Sequence, residues 1–144
     1  MNKVARLGIV AAVAAFVFVG IARAQEKPEA LAQKSAEAWL ALTDAGKYAQ
    51  SWNEASGSFK SHVGKAQWVE TARKVRTPLG KVKSRKLEVA RYTKDIPNAP
   101  AGEYVIVEYS SAFEGLPSAT ETVVPVLDKD GTWRVSSYFI KPKE

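Results

Sequence analysis

At Gly80 the chain changes period, and no other feature narrows the fold as much. Before Gly80, apolar residues recur three and four positions apart; after it, they alternate. Helix formers dominate Glu29–Ala45, where Leu31, Ser35, Ala38, Trp39 and Leu42 follow helical spacing. Pro28 suits the first turn of that helix, and Gly46 the left-handed position just past its end. Lys47–Ala55 predicts a second, shorter helix, with Tyr48 and Trp52 four apart on one face. Ser56-Gly57-Ser58 breaks the pattern and leaves Phe59 and Val63 in a loop or a single helical turn. Lys65–Val75 predicts a third helix with Trp68, Ala72 and Val75 inward. Thr77-Pro78-Leu79-Gly80 should stop it, because a residue before proline is pushed out of the helical region.

Four strands are predicted beyond the switch: Val82–Tyr92, Tyr104–Phe113, Thr120–Leu127 and Trp133–Ile140. Val105, Val107 and Tyr109 share one face of the second, Tyr104 and Ile106 the other. Asp128-Lys129-Asp130-Gly131 is a hairpin turn, with glycine where positive φ is needed. Pro125 marks an edge or a bulge. Helices first, then strands joined by short loops, give an α+β fold. Three N-terminal helices should pack on one face of a four-stranded antiparallel meander.

The N-terminus speaks to address rather than fold. Asn2–Arg6 carries Lys3 and Arg6 without an acid, Leu7–Ile21 is apolar or glycine, and Ala22-Arg23-Ala24 ends in small residues. That order is a secretory signal peptide over residues 1–24, cleaved at Ala24-Gln25, leaving 25–144 as a single domain. The apolar run is short of the about 20 residues a spanning helix needs, so an uncleaved anchor is the lesser reading. The expected location is periplasmic or secreted. The whole chain carries a net charge of +6, and the leader accounts for Lys3, Arg6 and Arg23 of it.

The chain has 0 cysteines and 1 histidine, His62. This rules out disulfides, thiolate chemistry and a lipid on a cysteine. Zinc and copper sites usually draw on several His or Cys ligands, so no metal and no cofactor is expected. His62 reads as a surface residue near Gly64.

The sharpest chemical signal is electrostatic. No acid falls between Glu70 and Glu88, yet Arg73, Lys74, Arg76, Lys81, Lys83, Arg85 and Lys86 do. Arg73 and Arg76 are three apart and share a helical face. Lys81, Lys83 and Arg85 share a strand face, and the same parity runs on into Leu87 and Val89. The basic end must therefore overhang the core, or a bulge must shift the register. Such a patch would bind an anionic envelope component, an acidic protein or a small anion. Nucleic acid is the least favoured partner for an exported chain. The plainer reading is a solvated face, with Arg76 or Arg85 tied into structure and Glu121 as a partner.

Acid–base chemistry needs a carboxylate held in a cleft with a shifted pKa. Glu108 and Glu121 are the notable candidates because each lies within a strand, although a solvated outer face is the simpler placement. Trp39, Trp52, Trp68 and Trp133 each fall on the apolar side of a predicted element, as core residues or as walls of a pocket.

Several segments together resemble a family. Asp44-Ala45-Gly46-Lys47-Tyr48, Ser51-Trp52, Ala55, Phe59 and Trp68 are similar to the first half of the domain of unknown function family numbered 4019. Arg76-Thr77-Pro78-Leu79-Gly80 followed by Ser84-Arg85 resembles its central motif. Gly102-Glu103-Tyr104-Val105, Phe113, Glu121, Gly131-Thr132-Trp133-Arg134-Val135 and Tyr138 resemble its strand half. The resemblance implies a small exported bacterial protein and supplies no reaction. The order of elements is also similar to the nuclear transport factor 2-like superfamily, which implies a cone of bent sheet and helices. The expected function is a noncatalytic binding or envelope accessory domain. The alternatives are a small-molecule enzyme using a cone-shaped cavity with a buried carboxylate, and a structural module forming a homodimer.

Overall fold

Local sequence accounts for most of the helical layer. The computed structural model describes residues 24–144. The leader read from the sequence lies outside the described residues, apart from Ala24. Helix α1 runs Pro28–Asp44, α2 Tyr48–Glu54, α3 Gly57–His62 and α4 Lys65–Leu79. Pro28 opens α1, and Gly46 follows it with φ +71°, the Lys47 N–H reaching back to the Leu42 carbonyl at 2.9 Å.

Among the described residues the helices number four, not three. Ser56 is an N-cap rather than a break: its hydroxyl accepts the Phe59 N–H at 3.1 Å, and this starts α3. Helix α4 also passes the expected stop and includes Pro78. In the last turn a proline forfeits only one hydrogen bond, and other contacts hold the segment. Gly115 N–H donates to the Leu79 carbonyl at 2.8 Å, and Lys81 N–H to Glu114 Oε1 at 2.9 Å. A Cβ on Gly115 would lie 2.1 Å from the Pro78 carbonyl oxygen, so only glycine lets the β2–β3 turn dock here.

The inward stripes are rotated from those predicted. Helix α1 buries Ala32, Ala36, Trp39, Leu40 and Thr43, while Leu31 is exposed. The two alanines let the helix lie close on the sheet. Helix α4 buries Trp68, Ala72 and Arg76, and Val75 faces out. An arginine thus completes a series of four-residue steps where an apolar residue was expected.

Strands β1 (Val82–Thr93), β2 (Tyr104–Phe113), β3 (Leu116–Leu127) and β4 (Trp133–Pro142) form an antiparallel meander in the order β1-β2-β3-β4. Register shifts in β1 fall between Val82 and Ser84 and between Leu87 and Val89. The second resolves the parity conflict: Arg85 pairs with buried Ser111, whereas beyond the bulge Ala90 and Tyr92 pair with buried Val107 and Val105. Pro125 sits at a register shift within β3, an interior strand, so a bulge and not an edge explains it.

The main core lies between the helices and the inner face of the sheet. Trp39, Phe59, Trp68 and Tyr138 form a chain of ring contacts with centroids 5.1 to 6.4 Å apart. Burying a large apolar side chain contributes about 1.5–3 kcal/mol, so this group is a major share of the stability. Its polar atoms are met: Trp39 Nε1 donates to the Ser51 carbonyl at 2.8 Å, and Trp68 Nε1 to Ser51 Oγ at 2.9 Å. The β1–β2 connection covers part of the outer face, where Ile96 and Ala99 pack on Tyr104, Val124 and Val126.

Candidate functional site

Helix α1 ends at Asp44, α4 ends just beyond Arg76, and the bulged strand β1 turns Arg85 inward to meet them. Arg76 Nη2 lies 2.5 Å from Asp44 Oδ1. Arg85 forks onto the same carboxylate, Nη1 to Oδ2 at 2.8 Å and Nη2 to Oδ1 at 3.1 Å. Its Nε then donates to Glu121 Oε1 at 2.7 Å. Glu121 is fully buried, on the inner face of β3 opposite Tyr109 and Ile140. Ser111 Oγ also donates to Oε1, at 2.6 Å, and the Tyr138 hydroxyl donates to Oε2. Arg76 Nη1 closes the network on Thr43 Oγ1 at 3.2 Å and Tyr138 OH at 3.1 Å. Two carboxylates and two guanidiniums leave it neutral overall. The placement of Glu121 overturns the solvated outer face expected of it. Glu108, paired with Val89 and Thr122, is on that face and half-buried.

The network sets its own protonation. Burial pulls the Asp44 carboxyl up, but hydrogen bonds from Arg85 and Arg76 outweigh it and hold the group below its usual 3.8. Burial and the Glu121 charge push the Tyr138 hydroxyl well above the usual tyrosine range. Two donors remain unmet in this part of the molecule: Arg76 Nε and the Tyr109 hydroxyl are buried without a partner. A buried donor left unpaired costs about 1–3 kcal/mol, more when it is charged. Arg76 is only 5 % exposed, its guanidinium carbon 5.2 Å from the Phe113 ring centre.

The basic run is therefore divided. Arg76 and Arg85 belong to the interior network, and the shared face expected of Arg73 and Arg76 does not exist: Arg73 is exposed. Lys74 is exposed and paired with Glu70 at 2.8 Å. Lys81, Lys83 and Lys86 are exposed, Lys83 being the extra residue of the first β1 bulge. His62 is exposed at the end of α3, its Nδ1 2.7 Å from the Ser58 carbonyl.

A groove adjoins the network. Helix α4 packs mainly against α2 and meets β4 through the Arg76–Tyr138 hydrogen bond. Two adjoining clefts, of about 490 and 270 Å³, lie between α4 and β4 and share Trp68, Thr71, Tyr138 and Phe139. The larger reaches Ile96 and Pro100 of the β1–β2 connection; the smaller ends at Arg76, Ile140 and Lys141. Neither lining contains a carboxylate. Phe139, paired with Thr122 on the outer-face side of edge strand β4, is 56 % exposed, and Val75 of α4 is 46 % exposed, a high exposure for large apolar side chains. This groove leaves no mark in the sequence, because its walls come from residues about seventy positions apart, each alone an ordinary residue. No group of three or more metal-ligating side chains occurs among the described residues.

Every charged or phenolic member of the network, Asp44, Arg76, Arg85, Glu121 and Tyr138, lies in a segment that carries the family resemblance. Comparison with known proteins agrees. No curated protein matches the chain. A solved structure from Catenulispora Acidiphila is similar in fold, with a TM-score of 0.50 and 12% identity, covering 78% of this chain and 88% of its own. The family model described as "Protein of unknown function (DUF4019)" matches residues 35–138, and the chain belongs to that family.

Proposed function

We propose that this protein is an exported, noncatalytic binding domain that holds an apolar ligand in the groove between α4 and β4. The observation that carries the reading is the open apolar gap itself, lined by Trp68, Tyr138 and the exposed Phe139. Its volume falls in the range of about 300–1,000 Å³ usual for ligand sites. The enzymatic alternative rested on a buried carboxylate, and the carboxylates of the network are already engaged. Both oxygens of Glu121 already accept hydrogen bonds, and Asp44 is held by two guanidiniums. Export rests on the charged, apolar, small-residue order of residues 1–24.

The test is titration of the chain starting at Gln25 with N-phenyl-1-naphthylamine, a neutral fluorophore that brightens in apolar sites. Saturable brightening is expected, weakened several-fold by Phe139→Ser without a fall in melting temperature. Absence of brightening, or brightening indifferent to Phe139→Ser, would overturn the groove. Mass spectrometry of the protein recovered from cells should find Gln25 at the N-terminus; intact Met1 on a membrane-bound form would overturn export.

A further inference from the structure

Resting on the reading of the groove as a binding site, we infer that its occupant is an extended peptide segment of a partner protein, which pairs with the free edge of β4 and lengthens the sheet by one strand. All six residues from Ser136 to Lys141 line the two clefts. Side chains of a strand alternate between faces, so a wall made of consecutive residues is a strand edge and not one face of the sheet. β4 is the last strand of the meander, with no strand on that side.

The register assigns the hydrogen-bonding groups of this edge. In an antiparallel pair, alternate residues turn both N–H and C=O towards the partner strand, and the others turn both away. The Lys143 N–H donates to the Ser118 carbonyl at 3.0 Å, so Lys143 faces β3. The register runs without a break from Pro142 to Ser137, so Lys141, Phe139 and Ser137 also face β3, while Ile140 and Tyr138 turn N–H and C=O into the groove. Nearer the start of β4 the helices cover the edge. There the Trp133 carbonyl accepts Ser35 Oγ at 2.7 Å, and the Val135 carbonyl accepts the Ser56 N–H at 2.9 Å. The main chains of Tyr138 and Ile140 have no such partner among the described residues. The opposite edge of the sheet is blunted. β1 carries bulges with Lys83 and Glu88 as extra residues, and Lys86 and Arg91 are exposed beside them. A purely apolar ligand would meet Trp68, Ala72 and Val75 on the α4 side and leave the β4 main chain unmatched. A peptide strand satisfies both walls, its backbone on Tyr138 and Ile140 and its alternate apolar side chains against α4. A second copy of this chain fits less well, because its own β4 edge also lies inside a groove.

The test is fluorescence anisotropy of a fluorescein-labelled, capped octapeptide of alternating valine and threonine, titrated with the chain starting at Gln25. Saturable binding is expected, with displacement of N-phenyl-1-naphthylamine. Two N-methylated peptides give the sharper readout, one methylated on the valine amides and one on the threonine amides. One set should weaken binding about tenfold, the order of one or two lost backbone hydrogen bonds, and the other should leave it unchanged. Ile140→Pro removes a groove-facing N–H and no bond to β3, so it should melt cooperatively and bind the peptide about tenfold more weakly. Phe139→Pro removes a bond to β3 and should lower the melting temperature. Should Ile140→Pro fail to fold, the methylated pair decides alone. Equal effects of the two methylations would overturn the strand while the groove stands, as would undiminished binding by a folded Ile140→Pro. Fluorophore brightening without peptide binding would overturn the inference alone; absence of both would overturn the groove as well. A dimer in sedimentation velocity that Ile140→Pro abolishes would give the edge to a second copy and overturn the peptide partner.

Discussion

The arginines and the lysines of residues 73–86 occupy opposite environments, although the sequence presents them as one basic run. Arg76 and Arg85 are drawn inside, where three helix and strand segments meet; Lys74, Lys81, Lys83 and Lys86 stay in water. The cause is the shape of the donor. Arg85 places two N–H groups on Asp44 and a third on Glu121, a geometry that a lysine ammonium cannot supply. A run of positive charge in a sequence is thus a mixture of two populations, one that organises the fold and one that faces solvent.

Arg76→Met breaks this contrast most severely. It keeps the volume and removes the charge, leaving Asp44 and Glu121 with one cation between them. Arg76 is buried but Asp44 reaches solvent, so the cost lies towards or below the low end of the about 3–5 kcal/mol for a fully buried pair broken from one side, still a sizeable part of the roughly 5–15 kcal/mol a domain holds. The urea midpoint should fall accordingly. A loss of under about 0.5 kcal/mol, the usual size for surface substitutions, would put Arg76 in the same class as the lysines.

Acid sharpens the same comparison with a smaller effect. The Asp44 carboxyl is held below 3.8 in the fold, so the unfolded chain takes up its proton first as the pH falls. Its contribution is complete above about pH 4 and is lost progressively as the pH drops through the folded value. Stability measured by urea from pH 5 to pH 2 should therefore decline, and the decline should be shallower in Arg76→Met, where only Arg85 still depresses the carboxyl. An identical decline in the two proteins would show that Arg76 does not govern the protonation of Asp44.

Much of the scaffold was legible because it rests on local rules. Period, Gly46, Gly131 and the parity of β2 each depend on residues within a few positions of one another. The parity conflict at Arg85, Leu87 and Val89 called for either an overhanging basic end or a bulge, and a bulge is what β1 has. What stayed hidden depends on distance in sequence. Asp44 meets Arg85 across 41 positions, and Arg76 meets Tyr138 across 62. Val75 in place of Arg76 was the natural inward choice on hydropathy alone. Nothing in the local pattern tells that Thr43, Asp44 and Tyr138 wait on the other side. The groove was hidden for the same reason, because a gap between α4 and β4 is a property of packing and leaves no local pattern.

The lysines give the smallest expected change in stability and the clearest test of what the exposed population does. Replacing Lys74, Lys81, Lys83 and Lys86 together by glutamine should move stability by no more than about 0.5 kcal/mol per site, since each is exposed and only Lys74 has a carboxylate partner. Their shared potential can still act on a partner. Unlike the arginines, they are not neutralised by interior acids; Lys74 lies on α4, Lys81 just after Gly80, and Lys83 and Lys86 on β1. If they serve binding, the wild type should attach to vesicles of anionic lipid at low salt and release as the Debye length falls from about 10 Å at 0.1 M to 3 Å at 1 M. The quadruple variant should not attach, and neutral vesicles should bind neither protein. Equal attachment by the variant would leave these lysines as a solvated face. The outcome is independent of the groove, because none of the four lines it.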